Sequence, residues 1–229
     1  MRLEGKVALV SGTAQGHGRA AALRFAAEGA LVVAGDPIHE DALETRRLIA
    51  RAGGTALAPG PLDIADEGSV RSWVGDAVGA FGGIDIVYAP TGTVRFGVVG
   101  SQPYDNIAFT MRTQLDSVWP TVRATWPHLV RSRGSLLTVG STTGLTASSL
   151  PPPHAAARPT SRGWLVALTQ QLAAEGAPYG VRANGISAGR PEDVASTAVF
   201  LVSDEAADIT GANVVVDGTW SCVLPGVAS

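Results

Sequence analysis

Along this chain, short apolar runs alternate with longer segments whose apolar residues recur at helical spacing. Residues 6–10 read as a buried strand, followed by a glycine-rich loop and an Ala-rich helix over 19–28. Gly29 stands where a helix C-cap belongs. The alternation continues with a strand over 31–34, a helix over 41–52 that ends at Gly53-Gly54, and a strand over 56–59. A helix over 67–81 leads through Gly82-Gly83 to a strand over 84–89. Beyond it the pattern predicts a helix over 104–130, a strand over 135–140 and a helix over 159–175. A strand over 181–186, a helix over 191–201 and a strand over 213–216 complete it. Repeated strand–helix units predict an α/β fold: a doubly wound, seven-stranded parallel sheet with helices on both faces. No linker or internal repeat divides residues 1–229, which read as one domain.

Composition narrows the classes. A net charge of −3 offers no basic face for nucleic acid, and no Lys/Arg cluster occurs. No apolar run approaches the roughly 20 residues of a membrane helix, and the amino terminus does not resemble a signal peptide. The single cysteine, Cys222, cannot form an internal disulfide, which suits a reducing compartment. A cytoplasmic protein with a small-molecule ligand is expected, with neither nucleic acid nor membrane as partner. No metal-ligand spacing stands out.

The first chemical signal is Gly12-Thr13-Ala14-Gln15-Gly16-His17-Gly18, between the first strand and the first helix. Glycines there let the backbone turn sharply and approach a pyrophosphate, whose charge a helix N-terminus stabilises. In a strand–loop–helix unit this spacing reads as a dinucleotide-binding, Rossmann-like fingerprint. Asp36 closes the second strand, where its carboxylate can accept hydrogen bonds from adenosine ribose hydroxyls and would repel a 2′-phosphate. With Gln15 rather than a basic residue in the loop, NAD (NADH) is favoured over NADP. Asp63-Ile64 suit the adenine side, although Asp63 could equally cap the next helix. His17 reads as packed at the loop or turned to solvent, near the cofactor but not catalytic.

Further motifs follow in order: Gly134-Ser135-Leu136-Leu137-Thr138-Val139-Gly140-Ser141, Val181-Arg182-Ala183-Asn184-Gly185-Ile186, Pro191-Glu192-Asp193-Val194, Ile209-Thr210-Gly211 and Val216-Asp217-Gly218. Over its whole length the chain resembles the short-chain dehydrogenase/reductase family, which implies an NAD-linked oxidoreductase acting on a small alcohol or carbonyl. By that resemblance Ser141 falls on the serine that orients the substrate oxygen, and Gln114 on the asparagine that supports a proton-relay water.

The same resemblance implies a Tyr-x-x-x-Lys pair as the proton-transfer group, and here the chain departs from it. Residues 141–162 contain no tyrosine and no lysine, and the only lysine in the chain is Lys6. Counting from Ser141 puts His154 and Arg158 at the two positions. Counting back from the following helix puts Arg158 and Arg162 there, and Pro159 fits the first turn of a helix better than its interior, which favours this register. His154 can carry a proton near neutral pH, whereas arginine stays charged and could bind an anionic substrate. The family's Asn-Asn-Ala-Gly is Tyr88-Ala89-Pro90-Thr91 here, and its substrate lid after the sixth strand is missing. The adenine half of a dinucleotide site is thus supported and the nicotinamide half is in doubt. Three readings remain: an oxidoreductase with altered groups, a repurposed isomerase, cyclase or dehydratase with an open arginine-lined pocket, or an inactive structural subunit. Trp119, Trp126 and Trp164 lie on the helices that pair in the family's dimers, so a homodimer or homotetramer is expected.

Overall fold

The computed structural model describes residues 1–92, 95, 101, 103–141 and 157–219, with residues 157–162 described for their backbone alone. Seven strands form one sheet: β1 (Val7–Ser11), β2 (Leu31–Gly35), β3 (Thr55–Leu57), β4 (Ile86–Pro90), β5 (Ser135–Ser141), β6 (Arg182–Ala188) and β7 (Asn213–Val216). Their spatial order is β3-β2-β1-β4-β5-β6-β7, and every pairing is parallel. The order reverses between β1 and β4, which opens a crevice outside their carboxyl ends. The helices are α1 (Gly16–Ala27), α2 (His39–Arg51), α3 (Glu67–Phe81), α4 (Tyr104–Asp116), α5 (Trp119–Ser132), α6 (Ala157–Gly176) and α7 (Pro191–Val202).

A parallel sheet buried on both faces needs apolar side chains pointing both ways. Along β1, Val10 joins one core and Leu9 the other, and along β5 Leu137 and Leu136 divide the same way. The first core lies against α1, α2 and α7 and holds Phe25, Ile49 and Val199. The second lies against α3, α5 and α6 and holds Val70, Trp73, Leu129 and Leu172.

Two expected elements are corrected. The helix expected over 104–130 is two helices, broken at Ser117 and Val118. Pro120 has no amide hydrogen and is suited to a first turn, so a new helix starts beside it. The fourth strand begins at Ile86 rather than residue 84, because Asp85 caps the adjoining strand: its carboxylate accepts from the Val7 amide at 2.8 Å while its own amide donates to Val7 O at 2.9 Å. Pro159 falls in the first turn of α6, as the sequence suggested.

Phe25 is fully buried and meets the Tyr88 ring edge-on, with centroids 5.8 Å apart. Phe25→Ala should therefore cost about 3–5 kcal/mol, read as a fall in the denaturant midpoint at unchanged slope.

Candidate functional site

The carboxyl ends of β1 and β2 hold a tightly connected loop. Gly12 adopts φ +70°, and a Cβ there would stand 3.3 Å from Pro90 at the end of β4. A Cβ on Gly18 would lie 2.1 Å from Gly12 O, so only glycine lets α1 start this close to β1. The first amides of a helix lack an intrahelical acceptor, so the start of α1 at the crevice supplies hydrogen-bond donors there. Gln15 and Gly16 are exposed, and His17 is half-buried.

Asp36 fastens this loop to β2. Its Oδ2 accepts from the Ala14 amide and its Oδ1 from the Ile38 amide, both at 2.9 Å, and the side chain is buried. Each carboxylate oxygen keeps further acceptor capacity. A second tie lies behind the loop: Thr45 Oγ1 donates to Thr13 O at 2.7 Å and accepts from Arg19 Nε at 2.9 Å. This link was missed in the sequence. A fully buried threonine in the middle of α2, among otherwise apolar core positions, was the only sign of it.

Asp63 and Ile64 lie past the end of β3. Asp63 is exposed and accepts from the Ala65 amide at 2.9 Å, while Ile64 packs partly on the second core. Asp63 does not cap the next helix. That role belongs to Asp66, whose Oδ2 accepts from the Ser69 amide at 2.6 Å.

At the other end of the crevice, Ser141 ends β5 in register with Ala188 and is half-buried. Gln114 is buried on α4, where its amide nitrogen donates to Gly92 O; the Gly92 amide donates to Ser117 Oγ at 3.2 Å. Gln114 therefore braces the exit of β4 against α4. His154 lies outside the described residues, and Arg158 and Arg162 are placed only as backbone within α6.

Lys6 ends far from this crevice, at the amino edge of β1, paired with Asp204 at 2.9 Å. Tyr88 is enclosed in the first core, where burial pushes its hydroxyl pKa upward. Tyr104 opens α4 and Tyr179 follows α6, both exposed. None of the three tyrosines lies in the 141–162 segment. Gly189 and Arg190 alone join β6 to α7. A Cβ on Gly189 would lie 2.6 Å from Val216 O, and its amide donates to that same oxygen at 2.6 Å. From there its carbonyl meets His17 Nε2 at 2.9 Å, so His17 neither points to solvent nor merely packs.

Among the described residues, no group of three or more His, Cys, Asp or Glu side chains is placed to hold a metal, and no helix is long and apolar enough to cross a membrane.

A family model described as enoyl-(acyl carrier protein) reductase matches residues 12–190 and 188–221. The chain is 32% identical over 249 positions to a 2,5-dichloro-2,5-cyclohexadiene-1,4-diol dehydrogenase of Sphingobium indicum, covering 96% of this chain and 98% of that protein. Because those 249 positions exceed the 229 residues here, the relative carries residues with no counterpart in this chain. An NAD-dependent oxidoreductase of Mycobacterium tuberculosis is 36% identical over 199 residues, 80% of this chain and 70% of that one. A solved short-chain type dehydrogenase/reductase from Mycobacterium marinum superposes with a TM-score of 0.90 at 28% identity, covering 96% of this chain and 97% of that structure. With the glycine loop, the reversal of strand order at β1/β4 and these likenesses in agreement, the chain belongs to the short-chain dehydrogenase/reductase family of oxidoreductases.

Proposed function

We propose that this protein binds NAD(H) in preference to NADP(H) and acts as an oxidoreductase on a small alcohol or carbonyl through non-standard proton-transfer groups. The observation that carries the cofactor reading is the Asp36 carboxylate, buried and held beside the glycine loop by two backbone amides. There it can accept from ribose hydroxyls, while a 2′-phosphate would meet it as a like charge. The close approach of Gly18 to Gly12 sets the start of α1 at the loop, and a helix N-terminus there suits a diphosphate. Residues 12–18 and Asp36 would hold the adenosine diphosphate half, with Asp63 and Ile64 on the adenine side. The dinucleotide, when bound, supplies the hydride donor or acceptor.

At the β5 end, Ser141 orients the substrate oxygen. His154 is the group of its segment suited to exchange a proton near neutral pH, and Arg158 and Arg162 suit a carboxylate or phosphate on the substrate. Gln114 braces the exit of β4 through Gly92 O. The far position of Lys6 favours a second reading: a non-redox enzyme or a structural subunit that keeps the nucleotide site. The exposed Trp119 on α5, together with the partly buried Trp126 and Trp164, supports self-association as a homodimer or homotetramer in the cytoplasm.

Calorimetric titration should show NADH binding at least about tenfold tighter than NADPH, a gap of about 1.4 kcal/mol. Equal affinities would overturn the preference. Asp36→Asn should narrow the gap, since its amide oxygen still accepts from Ala14 while the repelling charge is gone. Gly18→Ala should weaken both nucleotides by more than about tenfold, because its Cβ has no room beside Gly12 O. A broad alcohol and ketone panel followed at the NADH absorbance decides between the readings. Silence there, with turnover of a substrate that is lost in Arg158→Ala or Arg162→Ala, would move the assignment to a non-redox enzyme. Light scattering at micromolar concentration should report a dimer or tetramer, and a monomer would remove the self-association.

A further inference from the structure

The hydrogen bond between His17 and Gly189 joins two parts of the molecule that are 172 residues apart in sequence. A carbonyl oxygen can only accept, so Nε2 of His17 carries the hydrogen and the imidazole tautomer is fixed by this contact. One end of the bond sits in the first turn of α1, directly after Gly16 and before the close approach at Gly18. The other end is the two-residue connection from β6 to α7, which is anchored by the Gly189 amide on Val216 O. The connection is tied toward β7 by that amide bond, and a Cβ on Gly189 would stand only 2.6 Å from Val216 O and 2.8 Å from the Asp217 Cα. It is held from the opposite side by His17. The packing of α1 along α7, the most extensive between two helices among the described residues, brings the two first turns side by side.

Along the sheet order β3-β2-β1-β4-β5-β6, an extended dinucleotide lying across the carboxyl ends has its adenosine at β2, its diphosphate at β1 and its nicotinamide toward β5 and β6. His17 thus links the diphosphate loop to the rim at the nicotinamide end. We propose that His17 is a positioning residue: its bond to Gly189 fixes the β6–α7 rim relative to the glycine loop and so sets the seat of the nicotinamide ring. This inference rests on the NAD(H) reading above. The bond substitutes for closure by a longer segment, since Gly189 and Arg190 are too few to fold over a ligand. Preorganising a rim in this way removes an ordering cost that would otherwise fall on binding.

The test compares two ligands that share the adenosine diphosphate part, ADP-ribose and NADH, against His17→Leu and His17→Gln. Glutamine places a donor nitrogen near the position of Nε2, whereas leucine fills the space without one. In His17→Leu, NADH should bind about fivefold more weakly, the effect of one neutral hydrogen bond, while ADP-ribose stays within about twofold. His17→Gln should recover NADH affinity. A proportional loss for both ligands, or no loss for either, overturns the positioning role, and so does failure of glutamine to restore what leucine removes. If the unaltered protein binds ADP-ribose but not NADH, the seat does not exist and the inference falls while the adenosine site stands. Binding of neither ligand defeats the NAD(H) reading itself.

Discussion

A helix can start beside its strand only as closely as the intervening chain can turn, and here the limit is set by two glycines in contact. The backbone of Gly18 lies against Gly12 O with no room for a methyl group. That contact sets how α1 leaves β1, and α1 in turn covers β1, β4 and α7. The first core grows from this arrangement, with Phe25 of α1 reaching Tyr88 of β4. The carboxylate of Asp36 and the hydroxyl of Thr45 then hold the loop from β2 and α2. Packing and ligand geometry thus share one constraint, and a change that loosens the loop for binding also loosens the core behind it.

Much of the architecture was readable because its signals are local. Short apolar runs located all seven strands to within two residues at either end, and the glycine loop located α1. Where the reading erred, the deciding group was itself small and local but its effect was not. Pro120 ended one long helical pattern and began another, although the apolar spacing continues across it. Asp85 took over the backbone pairing at the start of β4, so an apolar isoleucine at 84 is buried without being in the strand. Asp63 and Asp66 are equally plausible helix caps by residue type, and only the hydrogen bond to Ser69 separates them.

The site divides differently. Asp36 was recognisable from its place at the end of β2, and its position beside Ala14 follows from the loop's spacing. The contact of His17 with Gly189 was not readable, because it depends on how α1 and α7 lie side by side after ten intervening strands and helices. Gln114 was recognised as an amide in the right helix, yet its hold on Gly92 depends on the path of the chain leaving β4. Chemistry carried by one loop is legible in order along the chain. Chemistry that depends on two loops meeting requires the fold.

The two-residue connection between β6 and α7 bears on the timing of events at the crevice as well as on its shape. A rim of that length, tied to β7 by the Gly189 amide and to α1 by His17, is too short among the described residues to swing over a ligand. A ligand entering or leaving past this edge would not have to wait for it to open. For a ligand that passes this edge, residence time would follow from the strength of static contacts rather than from an opening step there.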